Sequence, residues 1–130
     1  MKNKLIVIVG PNASGKSEIA VMIAKKFNGE VVSADSRQVY KGMDIGSGKI
    51  KKSEMKGVPH HLLDVASPKS VFTVTRYRQL ALKAVEKIRR AGKIPTLCGG
   101  TGFYIQAVID GITIPPVSYT NLTLPTIYSV

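Results

Sequence analysis

The chain has 130 residues, enough for one compact domain and too few for two. Hydrophobic residues make up 44% and charged residues 21%, which suits a chain that buries a core and excludes a wholly disordered one. Lys and Arg number 19 against 8 Asp and Glu, and the resulting charge of +11 points to a polyanionic partner, nucleic acid first and free nucleotides or diphosphates second.

Leu5 to Val9 is a continuous β-branched run, as expected of a strand buried on both faces of a parallel sheet. Gly10-Pro11 cuts it off, too early for a membrane span or a signal-peptide core, so a cytoplasmic protein with no membrane partner is expected. A helix is predicted from Lys16 to Phe27, on the spacing of Ile19, Ala20, Ile23, Ala24 and Phe27, with Asn28-Gly29 ending it. Glu30 to Ala34 reads as the next strand of a βαβ unit. Tyr40 to His61 reads as a lysine- and glycine-rich loop. A second long helix runs from Val74 to about Ala91, with Val74, Tyr77, Ala81, Ala84, Val85 and Ile88 on its apolar face. Ile94 to Cys98 is a further buried strand, and Phe103 to Val108 a short helix. Asp110 is the last charged residue.

Gly10-Pro11-Asn12-Ala13-Ser14-Gly15-Lys16-Ser17 fits G-x-x-x-x-G-K-[ST] between a predicted strand and helix. Glycines let successive backbone N–H groups turn toward a phosphate, the helix N-terminus adds partial positive charge, Lys16 adds a full one, and the Ser17 hydroxyl suits Mg²⁺. The pattern identifies a diphosphate- or triphosphate-binding loop and leaves the reaction open. Asp35 follows the second strand, on the rim where open parallel sheets bind ligands. A carboxylate there binds metal, accepts a proton, or merely caps a turn. Gly99-Gly100-Thr101-Gly102 is a second glycine turn on that rim, either structural or ligand-facing. The strand before it ends without the acidic residue usual in ATP-hydrolysing P-loop proteins. His60-His61 lacks metal-site spacing, and the single Cys98 reads as a small core residue that excludes an intrachain disulfide and suits a reducing compartment. Lys49, Lys51, Lys52 and Lys56 are candidates for RNA contact. These features alone leave open a small-molecule or nucleotide kinase and a non-catalytic nucleic-acid-binding module.

Taken together, the phosphate loop, Asp35 to Gly46, Pro59 to Asp64 and Gly99 to Tyr104 resemble the tRNA dimethylallyltransferases, over roughly Lys4 to Pro115. The block from Asp35 to Gly46 is the most specific part. The resemblance implies a P-loop NTPase-like α/β fold, a parallel sheet with flanking helices, here truncated. It implies transfer of a dimethylallyl group from dimethylallyl diphosphate to N6 of the adenosine 3′ of the anticodon, with Mg²⁺. Residues Gly10 to Ser17 would hold the diphosphate, Asp35 would act as general base with Lys16 and Thr101 in the catalytic set, and Asp35, Ser36, Arg37, Gln38 and Thr101 would contact the tRNA anticodon stem-loop. A monomer is expected. Family members run longer, with a helical insertion that grips the anticodon stem. Residues 1–116 are therefore expected to be the first part of the catalytic domain, inactive alone, and 117–130 a tail foreign to the family, disordered or artefactual.

Overall fold

A computed structural model describes residues 4–10, 15–42, 49–111 and 126–129. In chain order these form β1 (Ile6–Val9), α1 (Lys16–Lys26), β2 (Gly29–Ser33), α2 (Lys52–Met55), β3 (His60–His61), α3 (Val74–Arg90), β4 (Ile94–Gly99), α4 (Gly102–Gly111) and β5 (Thr126–Ser129). One sheet carries the strands in the order β3-β2-β4-β1-β5. The first four are parallel, as the βαβ pattern predicts.

Both faces of this sheet are covered, which explains why its strands show no polar alternation. On one face Leu5, Val7, Val32 and Leu97 pack with Tyr77, Ala81, Val85 and Ile88 of α3 and with Tyr104 and Val108 of α4. On the other, Ile8, Val31 and Cys98 pack against Ala20, Val21 and Ala24 of α1. Thr73 caps α3, its hydroxyl accepting from the Arg76 N–H at 3.1 Å, and Asn28 leaves α1 through the left-handed region at φ 53°. Two glycines are fixed by strand packing: a Cβ on Gly29 would stand 2.4 Å from the Ile94 carbonyl oxygen, and one on Gly99 would stand 2.2 Å from that of Ala34.

The stretch from Tyr40 to His61 is not all loop, since α2 and β3 lie within it; Glu54 closes the first turn of α2 by accepting from the Lys51 N–H at 2.9 Å. The expected parallel sheet with flanking helices is present in β1 to β4, and β5 adds a strand antiparallel to β1. Within 117–130, Thr126–Ser129 forms that strand and pairs with the edge of β1 that β4 leaves open. The remainder of 117–130 lies outside the described residues.

Candidate active site

β4 lies between β1 and β2, although it follows both in the chain. The carboxyl ends of β2, β4 and β1 therefore stand side by side, and each is followed by one of the segments singled out in the sequence. α1 leaves β1 on one face while α4 leaves β4 on the other, so the crevice between these two strands is the topological switch point where α/β sheets bind ligands.

A cavity of about 540 Å³ opens there, lined by Gly15, Lys16 and Ser17 from the α1 end and by Asp35, Arg37 and Gln38 after β2. Gly15 takes φ 81°, a conformation that a side chain would strain, and delivers the chain into α1. Lys16 is 9% exposed, and its Nζ lies 3.8 Å from where a Cβ on Gly100 would be, an ordinary contact distance that puts the lysine against the second glycine turn. Gly10, before the loop, has its carbonyl oxygen 3.3 Å from that same point. Pro11, Asn12, Ala13 and Ser14 lie outside the described residues.

Asp35 is 4% exposed and both caps a turn and faces the cavity. Its Oδ1 accepts from the Arg37 N–H at 2.8 Å and has the Arg37 Nε 3.8 Å away. Its Oδ2 carries no hydrogen bond among the described residues. Thr101 does not line the cavity. It clamps the segment that does: its hydroxyl accepts from the Ser36 N–H at 2.9 Å, and its own N–H donates to the Ala34 carbonyl at 3.1 Å. Ser36 likewise stands at the clamp, 3.3 Å from the same hydroxyl. Below it, the Tyr77 hydroxyl donates to the Ser33 carbonyl at 2.6 Å and its ring stacks on Tyr104 with centroids 3.9 Å apart. Burial, with Tyr104 beside it, pushes the Tyr77 phenol well above its usual range.

The cavity extends beyond the residues the sequence marks. Ile50 and Glu54 from α2 and its approach, Val31, Leu63 and His60 complete it. His60 Nδ1 donates to the Val58 carbonyl at 2.9 Å, and burial holds this imidazole below its usual pKa. Only the parallel pairing of β3 with β2 brings His60 beside Val31, so spacing alone could not place it in the site. His61 turns to the opposite face, 2.7 Å from Glu30, which also meets Lys93 at 3.1 Å. Burial would raise the Glu30 pKa, but the hydrogen bonds from His61 and Lys93 outweigh it and hold it low. Cys98 is a core residue that also borders the cavity; its thiol, pushed up to about 12 by burial, donates to the Lys16 carbonyl at 3.6 Å. Lys49 is removed from the RNA candidates, because it pairs with Asp64 and donates to the Tyr40 carbonyl, with 6% of its side chain exposed. Among the described residues no cluster of three or more His, Cys, Asp or Glu is placed to hold a metal, and no helix is long and apolar enough to cross a membrane.

The sequence model of the IPP transferase family matches residues 38–125. The chain belongs to the IPP transferase family. The match runs past Pro115, where the motif resemblance fades. Among named relatives, this IPP transferase chain is 53% identical over 109 residues to the tRNA dimethylallyltransferase of Halalkalibacterium halodurans, covering 84% of this chain and 35% of that protein. It is 44% identical over 128 residues to the tRNA dimethylallyltransferase of Carboxydothermus hydrogenoformans, covering 98% and 40%. Its fold superposes on the crystal structure of the full-length tRNA isopentenylpyrophosphate transferase of Bacillus halodurans with a TM-score of 0.82 at 50% identity, covering 88% of this chain and 38% of that one. A eukaryotic dimethylallyltransferase, described as acting on tRNA, matches with a TM-score of 0.78 at 38% identity, covering 82% and 26%. The chain thus spans about a third of the length of the curated relatives it matches first.

Proposed function

We propose that this chain carries the diphosphate-binding and amine-activating part of a tRNA prenyltransferase, which moves a dimethylallyl group from dimethylallyl diphosphate to N6 of the adenosine 3′ of the anticodon. The observation that carries the reading is the convergence of Lys16 and Ser17 with Asp35 on one cavity, in a chain of charge +11. The adenine N6 attacks C1 of the dimethylallyl group. The C1–O bond breaks, and the diphosphate leaves with the bonding electrons. The Lys16 ammonium and the backbone N–H groups of Gly15, Lys16 and Ser17 stabilise the charge that grows on it. Asp35 takes the N6 proton through Oδ2, the oxygen not used by Arg37. Arg37 and Gln38 approach the tRNA from the same rim, while Ser36 and Thr101 hold that rim in place.

The donor set fits Mg²⁺ held mainly by diphosphate oxygens and water, with the Ser17 hydroxyl as its protein ligand. When bound, the ion neutralises leaving-group charge.

Two measurements test the reading. Calorimetric titration with dimethylallyl diphosphate and Mg²⁺ is expected to show binding that Lys16→Ala weakens by roughly 10- to 150-fold, the range for losing charge-assisted hydrogen bonds. Transfer is read in a hybrid where residues 4–111 replace the matching segment of the Halalkalibacterium relative; labelled prenyl group is expected in an anticodon stem-loop, and Asp35→Asn is expected to abolish it. Unlabelled RNA from an otherwise folded hybrid, or phosphate transfer from ATP to a small molecule by the chain, would overturn the proposal in favour of a kinase.

A further inference from the structure

Phe103 is 83% exposed, whereas its neighbour Tyr104 is 6% exposed and stacked on Tyr77. The inward ring fixes the first turn of α4, so the outward ring is displayed from a rigid element. Phe103 follows Thr101 by two residues, and Thr101 is bonded to Ser36 at 2.9 Å. Arg37, with its side chain 48% exposed, comes directly after Ser36. One clamp thus ties the segment that carries Arg37, which lines the cavity, to the turn that leads into the helix bearing the bare Phe103 ring. A lone exposed Leu or Val would mean little, but a bare phenyl ring on an element tied to the one that carries an exposed arginine, on a chain of charge +11, suits the pairing that single-stranded nucleic acid selects: a base on the ring and a phosphate on the arginine.

We propose that Phe103 is a base-stacking residue, holding an unpaired nucleobase of the RNA next to the adenine presented to Asp35. The inference rests on the tRNA reading above and adds a named contact to it. Its ligand class is an unpaired, splayed loop nucleotide and not a duplex, because only an unstacked base offers its face to a side chain.

The test titrates the 130-residue chain into a hairpin RNA whose unpaired loop carries 2-aminopurine, at low salt. Wild type is expected to bind and to change the 2-aminopurine emission. Phe103→Ala is expected to lose that change and to weaken binding between about 5- and 150-fold, the range for one stacked base. Phe103→Trp is expected to restore both, and Phe103→Leu, equally apolar but without a π-face, neither. Unchanged binding and emission in Phe103→Ala would overturn this inference alone. So would a melting temperature lowered by several degrees with full rescue by Phe103→Leu, since the ring would then be packing on protein. Failure of the wild-type chain to bind the hairpin at all would overturn the tRNA reading itself.

Discussion

The Thr101 hydroxyl accepts a hydrogen bond from the backbone N–H of Ser36 at 2.9 Å, across 65 residues of sequence. This contact joins the ends of β4 and β2 and fixes where Asp35 and Arg37 stand. Thr101→Val keeps the shape and leaves the Ser36 N–H without this partner. The expected cost is about 1–3 kcal/mol, read from chemical denaturation, with Thr101→Ser close to wild type. In the hybrid enzyme, Thr101→Val is expected to lower kcat more than it weakens dimethylallyl diphosphate binding, because the clamp orients Asp35 and not the phosphate loop.

Gly99 and Gly102 are expected to respond in opposite ways to alanine. A Cβ at Gly99 would sit 2.2 Å from a backbone oxygen that cannot retreat without parting β2 from β4, and the expected destabilisation is about 3 kcal/mol or more. Gly102 has nothing within 4 Å of the same atom. Gly102→Ala is expected to be neutral or to stabilise by about 0.4–1 kcal/mol through the unfolded chain. Thermal melts of the two variants check the contrast.

His60 sets one part of the pH dependence. Its folded pKa lies below the usual 6.5 through burial, so protons bind more readily to the unfolded chain. Stability is therefore full above pH 6.5 and falls as pH drops from there toward the folded pKa. Glu30 acts in a lower window, since its folded pKa lies below 4.5; its stabilisation is present above that pH and lost on further acidification. A melting-temperature series should show loss beginning below pH 6.5, and His60→Gln should remove that first phase while leaving the one below 4.5.

Thr96 is fully buried, and its hydroxyl has no hydrogen-bond partner among the described residues. Replacing it with Val removes an unsatisfied polar atom at nearly constant shape. A gain of about 1 kcal/mol is expected in chemical denaturation.

Much of this fold is readable residue by residue. The β-branched run before Gly10, the helical spacing of Ala20 and Ala24, and the stripe from Tyr77 to Ile88 each state their structure locally, because backbone propensity and burial period act over a few neighbours. Val74, at the head of that stripe, is 42% exposed. The stretch holding α2 and β3 is illegible for the opposite reason. Four helical and two extended residues are too few to display a period, and what orders them is pairing with β2 and the bond from Lys51 to Glu54.

The same division runs through the candidate site. Sequence by itself marked the G-x-x-x-x-G-K-[ST] motif, the carboxylate at Asp35 and the second glycine turn, because each is a short pattern of consecutive residues. Tertiary structure decided which of them meet. β4 enters between β1 and β2, so Thr101 bonds to Ser36, Lys16 lies against Gly100, and His60 reaches the cavity through β3. Strand order follows from how buried faces cover one another across the whole chain, and no local stretch of sequence encodes that choice.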